Sequence, residues 1–253
     1  MGIWALDSSL HNPIYAVYGF VRLADEIVDT FHDHDKAGLL EQFKKDTFTA
    51  IEKGISLNPV LHSFQKIVNE YSIDPKLIDA FLYSMEMDLS RSEFPDTLYN
   101  KYIYGSAEVV GLICLKIFVD GNDEEYKKLE ACARSLGSAF QKVNFLRDMK
   151  SDFEDRGRVY FPDLSYENFS KEDKYRIEKD IENDFNHALE GIKNLPKKAR
   201  FGVYTAYVYY KKLFEKIRKT TPTEVLTKRI RISNVQKIGL LLISTLRHKL
   251  GIS

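Results

Sequence analysis

Apolar residues in this 253-residue chain recur at steps of three and four over long stretches, and Val, Ile and Thr nowhere alternate with polar residues over a comparable run. A period near 3.6 places such residues along one side of a helix, whereas a half-buried strand needs a period of two. The spacing predicts helices over about 12–31, 36–53, 58–71, 74–89, 96–118, 123–154, 171–193, 197–219 and 234–250. Three turn signals support these limits: "SLNP", "SIDP" and "NLPK" put Pro59, Pro75 and Pro196 at helix starts, where proline's missing N–H leaves no bond unmade. No Pro-, Gly- or Ser-rich linker divides the chain and no internal repeat is visible, so residues 1–253 are expected to form a single all-α domain.

Within this pattern, "FVRLADEIVDTFHD" (20–33) is anomalous. Arg22, Asp25 and Asp29 share one helical face, yet Ile14, Tyr18, Val21, Asp25 and Val28 also follow the three-four rhythm that marks a core-facing stripe. A second stripe of the same kind runs through "GSAFQKVNFLRDMKSDFEDRGRVYFP", where Gly137, Gln141, Asn144, Asp148 and Asp152 line one face beside Leu136, Phe140 and Val143. A lone DxxxD is normally a solvated helix face. Two of them, each beside apolar positions and each with an arginine (Arg22, Arg147), are different. Inward carboxylates repel unless cations compensate them, and magnesium, a hard ion, is held by a few carboxylates together with substrate phosphates. The pattern therefore points to a magnesium-bound diphosphate.

Charge and composition narrow the field. The chain holds 37 Lys and Arg against 37 Asp and Glu, but from Lys197 onward 14 basic residues face only Glu215 and Glu224, an excess of twelve positive charges matched by twelve negative in the rest. Two readings stand: the two parts pair with each other, or the basic part presents a face to anions such as phosphates or an anionic membrane. Nothing resembles a nucleic-acid module. The two cysteines, Cys114 and Cys132, form no CxxC and fit a reducing cytoplasm rather than a disulfide framework. The longest apolar run, "VVGLICLKIFV", is interrupted by Lys116 and is far shorter than the roughly 20 residues of a spanning helix. "FHDHD" (31–35) falls where a polar loop is expected and is set aside as a metal site; no nucleophile elbow, phosphate-binding glycine loop or GxGxxG is present.

The residue set RxxDxxxD, then QxxNxxRDxxxD followed by GRxYxP, resembles the two aspartate-rich signatures of the phytoene/squalene synthase family. A third block, "YIYGSAEVVG", resembles the family's YxxxVAGxVG segment, with Ser106 and Glu108 in place of the usual Val and Gly. The resemblance runs from about Pro13 to the C-terminus and implies an isoprenoid-synthase-type helical bundle around a central cavity. It implies that Asp25, Asp29, Asp148 and Asp152 coordinate Mg2+ (or Mn2+) with Asn144 beside them, and that Arg22 and Arg147 bind diphosphate oxygens. Gln141 and Tyr18 would line the same mouth, Tyr102 and Tyr210 would stand near the reacting carbons, and Arg229 would be a diphosphate-side arginine, a role for which Arg231 competes.

The implied activity is head-to-head condensation of two geranylgeranyl diphosphates to phytoene through a cyclopropyl diphosphate, without NADPH. The alternatives are a C30 dehydrosqualene or squalene synthase using farnesyl diphosphate, and a non-catalytic prenyl-lipid-binding relative. Sixteen Phe, fifteen Tyr and one Trp can supply electron-rich cavity walls as well as core. Gly105, Ala107, Gly111 and Gly137 leave room for prenyl tails or serve close helix packing. The expected location is the cytoplasm, with peripheral contact to the inner face of the membrane; no oligomeric state is implied. Relatives carry a Ser-Phe-Ser-like segment ahead of this point, and only about a dozen residues precede the first long helix here. The expectation is that Met1 is an internal methionine rather than the true start, and that a form extended by roughly 20–30 residues, one further helix and its lead-in, is more active.

Overall fold

The computed structural model describes residues 2–90, 94–164, 166–233 and 236. The described residues form ten α-helices and no β-strand: α1 (His11–Asp29), α2 (Lys36–Lys53), α3 (Pro59–Glu70), α4 (Pro75–Ser90), α5 (Asp96–Ile103), α6 (Val109–Phe118), α7 (Asp123–Arg156), α8 (Lys171–Asn194), α9 (Lys197–Arg218) and α10 (Pro222–Thr227). Apart from Gln236, the helix expected over 234–250 lies outside the described residues.

Local chemistry sets the limits. Asn58 accepts from the Val60 and Leu61 amides ahead of Pro59 in the first turn of α3, and Asn122 accepts from the Glu124 and Glu125 amides to open α7. Reciprocal capping boxes, Ser170 with Asp173 and Thr221 with Glu224, start α8 and α10. Pro196 stands one residue outside α9, as its N-cap. Gly157, in the left-handed region at φ 62°, ends α7, and the Arg158 amide bonds back to the Asp152 carbonyl.

Two departures from the sequence reading affect the site. The helix expected over 96–118 is interrupted by a π-helical turn at Tyr104–Glu108, which joins α5 to α6. Such a turn adds a residue to the helical circuit and so rotates the side chains that follow it. The turn is wedged between two helices: a Cβ at Gly105 would lie 2.5 Å from the Ala80 carbonyl of α4, and one at Gly137 of α7 would lie 2.7 Å from the Ala107 carbonyl. These glycines bring backbones together. The second departure is α10, six residues anchored by the fully buried Val225 and too short for a periodic signal.

Two apolar clusters hold the helices. One joins α1, α2, α3, α4 and α6, with Phe20 stacked on Phe64 (ring centroids 4.0 Å apart). The other joins α5, α8, α9 and α10 to the C-terminal half of α7. The long helix α7 touches α6, the π turn, α8, α9 and α10, so it is the axis on which the site is built.

Candidate active site

α1, α4, α5 and α7, together with the segment after α7, enclose a polar cavity of about 490 Å³. Five carboxylates (Asp25, Asp29, Asp88, Asp148, Asp152) and four guanidiniums (Arg22, Arg147, Arg158, Arg229) line it. Both aspartate stripes predicted from the sequence therefore face one space. Asp148 is held by two arginines: Arg147 Nε donates to Oδ1 at 3.0 Å, and Arg229 Nε lies 2.7 Å from the same atom. Arg22 pairs with Glu26 one turn along α1, and its side chain is 57% exposed, which leaves it free to swing toward an anion at the rim.

Asp88, on α4, was not singled out from the sequence. Its carboxylate is almost fully buried; Tyr102 donates to it at 2.9 and 3.0 Å and Arg158 approaches at 3.2 Å, while Arg158 also donates to the Asp88 backbone carbonyl at 2.6 Å. Burial pushes the Asp88 carboxyl up to about 6, the nearby Asp29 and Asp25 charges add to this, and the attractions of Arg158 and Tyr102 offset only part of it. Burial likewise pushes the Tyr102 phenol well above its usual range, with the Asp88 charge acting in the same direction. For Arg158, burial works against the charge, but Tyr160 and Asp88 outweigh it and the guanidinium stays protonated. Phe94, Tyr102, Phe145 and Tyr160 stack around the group, with Phe145 and Tyr160 centroids 4.2 Å apart.

A second cavity, of about 460 Å³ and almost wholly apolar, adjoins the first. Val21, Ser106, Gln141 and Asn144 line both. At this shared ring Gln141 donates to the Ser106 hydroxyl at 3.3 Å and Tyr210 donates to the Asn144 side-chain oxygen at 3.3 Å. Tyr210 also stacks on Phe140 with centroids 4.0 Å apart, so its ring forms apolar wall and only its hydroxyl meets the polar side. The site thus has a charged chamber for an anion and a dry chamber for a hydrocarbon, joined at one ring.

A family model described as squalene/phytoene synthase matches residues 1–236. The chain belongs to the squalene/phytoene synthase family. It is 27% identical over 258 residues to phytoene synthase 1, chloroplastic, of Solanum lycopersicum, covering 94% of this chain and 62% of that protein. To the phytoene synthase of Arthrospira platensis it is 26% identical over 279 residues, covering 98% and 88%. The fold matches a dehydrosqualene synthase crystal structure with a TM-score of 0.83 at 21% identity, over 98% of this chain and 90% of that one. The chain thus spans less than two thirds of the length of the tomato relative.

In this squalene/phytoene synthase chain, Asp25, Asp29, Tyr102, Gln141, Asn144, Arg147, Asp148, Asp152 and Arg229 all line the polar cavity, and Tyr210 lines the apolar one. Tyr18 does not join them: it is 58% exposed and lies outside the lining of either cavity. The reason is axial: Tyr18 shares its helical face with Val21 and Asp25, which line the polar cavity, but it stands about one turn from Val21 and two from Asp25, nearer the start of α1. Arg229 rather than Arg231 reaches the site.

Three polar residues given no role in the sequence reading, Asp88, Arg158 and Tyr160, belong to the cavity, together with the apolar Phe81, Met85 and Phe145. Arg158 and Tyr160 stood in the GRxYxP signature, which carried the resemblance without a role for either. Asp88 carried a usable signal, since Phe81, Met85 and Asp88 share one buried face of α4.

The donor set suits magnesium. Around the cavity the candidate ligands are carboxylate and amide oxygens, which are hard donors. Among the described residues no three His, Cys, Asp or Glu side chains converge tightly enough to cage a metal on their own. Magnesium is commonly held by one or two carboxylates with water and phosphate oxygens completing its shell, so an open, two-sided arrangement fits it better than a closed one.

Proposed function

We propose that this chain condenses two molecules of geranylgeranyl diphosphate head to head into phytoene, as a Mg2+-dependent prenyltransferase of carotenoid biosynthesis. The observation that carries this reading is the pair of chambers joined at Val21, Ser106, Gln141 and Asn144. A molecule with its diphosphate in the charged chamber and its tail in the dry one must place its reactive C1 at that ring.

Asp25, Asp29, Asp148 and Asp152 would hold the metal, with Asn144 beside them. Bound there, magnesium neutralises diphosphate charge and makes the diphosphate a better leaving group. Arg147, Arg229 and Arg22 share that task, since their planar donors match phosphate oxygens and remain charged. The chain's other residues manage the cation that ionisation leaves. Aliphatic walls exclude water, and the rings of Tyr102, Phe145 and Tyr210 offer electron-rich faces. The second substrate's double bond attacks, and loss of a proton closes a cyclopropane that still bears one diphosphate. Ionisation of that diphosphate, rearrangement and loss of a second proton give the linear C40 polyene. Two diphosphates and two protons leave in all, so no reductant is needed.

The similarity to a dehydrosqualene synthase structure supports a second reading, in which the same steps join two farnesyl diphosphates to a C30 product. Competition decides between them. Purified protein given magnesium and equal concentrations of both substrates is expected to yield mainly C40 hydrocarbon by chromatography, and a dominant C30 product reverses the choice.

Peripheral membrane contact is part of the same proposal. Among the described residues no helix is long and apolar enough to cross a membrane. The turn at Ile3–Ala5 packs on α9; it leaves Trp4 75% exposed near the cationic start of α9, where Lys197 is exposed. Ile3 and Leu6 line the apolar chamber at that end. The protein is expected to sediment with vesicles containing anionic lipid at low salt, less so at high salt, and weakly with neutral vesicles. Equal or absent binding to both kinds removes the idea.

A further inference from the structure

The apolar chamber is graduated in depth. A Cβ at Gly137 of α7 would touch the Ala107 carbonyl, and a Cβ at Gly111 of α6 would touch the Ala133 carbonyl at 3.1 Å. As one helix advances four residues the other retreats four, so α6 and α7 run antiparallel in a fixed register along the chamber. Ser106 stands at the shared ring, and Val110, Gly111, Cys114, Leu115 and Phe118 follow down the chamber wall. From Ser106 to Phe118 the helix advances by roughly 18 Å at 1.5 Å per residue. On the opposite wall Leu129 reaches comparable depth.

A prenyl tail is also periodic, and each isoprene unit of an unstretched chain advances a little less than one helical turn. With C1 at the ring, the third unit ends beside Cys114 and Leu115, and the fourth extends to Phe118. Resting on the prenyl diphosphate reading above, we infer that Cys114 sits at the boundary between the third and fourth isoprene units and that its small side chain admits the fourth. Gly111 does not play this part, because a larger residue there presses on the Ala133 backbone and disturbs packing at every tail length. Leu115 is fully buried wall. Of the α6 residues that line the chamber beyond Gly111, Cys114 carries the smallest side chain, so a larger one there takes up chamber space. Its surroundings are dry, since burial alone pushes the thiol up to about 12, so it presents a neutral S–H to the hydrocarbon.

The test is binding of the non-ionising thiolodiphosphate analogues of geranylgeranyl and farnesyl diphosphate, measured by calorimetry with magnesium present. Cys114→Phe is expected to weaken the C20 analogue at least about tenfold, the scale of a steric clash in a packed cavity, while the C15 analogue stays within about twofold. Cys114→Ser, nearly isosteric, is expected to leave the ratio of the two affinities unchanged. Should Cys114→Phe fail to fold, Cys114→Leu makes the same test, and the C20 to C15 ratio must still fall by about threefold or more. Equal weakening of both analogues, or no change in the ratio, overturns the assignment of Cys114. A wild-type protein that binds neither analogue instead removes the prenyl diphosphate reading itself, and the gauge with it.

Discussion

Asp148→Asn and Asp25→Asn are each expected to lower turnover by at least about a hundredfold, equivalent to about 2.7 kcal/mol of transition-state stabilisation. Both substitutions are nearly isosteric and preserve helix α7 or α1, so circular dichroism should be unchanged. The lost quantity is charge. Asp148 lies against Arg147 and Arg229 and faces the stripe of Asp25 and Asp29 across the cavity. Replacing it by an amide removes a carboxylate proposed to hold a divalent ion and changes how the arginines are held. Steady-state assays with magnesium make the check. Full activity in either variant, or full activity of the wild type in excess chelator, contradicts the assignment of these carboxylates.

The second large effect concerns Asp88. Asp88→Ala strands the nearly buried Arg158 guanidinium without its carboxylate and leaves the buried Tyr102 hydroxyl without an acceptor. Breaking a buried pair in this way costs about 3–5 kcal/mol. The double variant Asp88→Ala, Arg158→Leu should recover part of that loss, because it removes the orphaned charge as well. Urea denaturation of the four proteins measures the cycle, and a loss below about 1 kcal/mol in Asp88→Ala contradicts the role given to the pair.

The pH dependence adds a second signature. The folded Asp88 carboxyl, at about 6, lies above its unfolded value of 3.8, so folding favours the protonated form. Its stabilising contribution is present in full below the unfolded value and is lost as pH rises from about 4 to about 6. In the metal-free wild type the loss amounts to roughly 3 kcal/mol. Asp88→Asn cannot titrate and should lack that component of the slope.

The residues explain why some of this was legible in advance. Helices as long as α7 and α8 repeat their apolar pattern many times and carry start signals such as Asn122 and Ser170, so period and caps agree. The π turn at Tyr104–Glu108 has no comparable signature, because a single wider turn leaves the flanking pattern helical on both sides. The acid stripes stood out because Asp25 and Asp148 fall in an apolar rhythm and each has a second aspartate four residues on. Asp88 has no such companion. Its partners, Tyr102 and Arg158, lie 14 and 70 positions away, a distance only tertiary structure closes. Tyr18 is the converse case: it shares a stripe with Val21 and Asp25, which line the cavity, yet is itself exposed and outside that lining. On a helix with two adjacent stripes, Val17–Phe20–Ala24 and Tyr18–Val21–Asp25, spacing alone does not say which is core and which is rim. The glycines read as room for tails divide the same way: Gly105 closes α4 onto the π turn, whereas Gly111 and Gly137 both pack a neighbouring backbone and border the chamber.

The central claim is that two diphosphate-bearing chains react within one two-chambered site. The most direct measurement is stoichiometry: purified protein, magnesium and geranylgeranyl diphosphate alone, with inorganic diphosphate and extracted organic products quantified from the same reaction. The expected result is two diphosphates released for each C40 hydrocarbon formed, with no reductant added. One diphosphate released for each molecule of free C20 alcohol would mean simple hydrolysis in a site open to water, and would contradict the account.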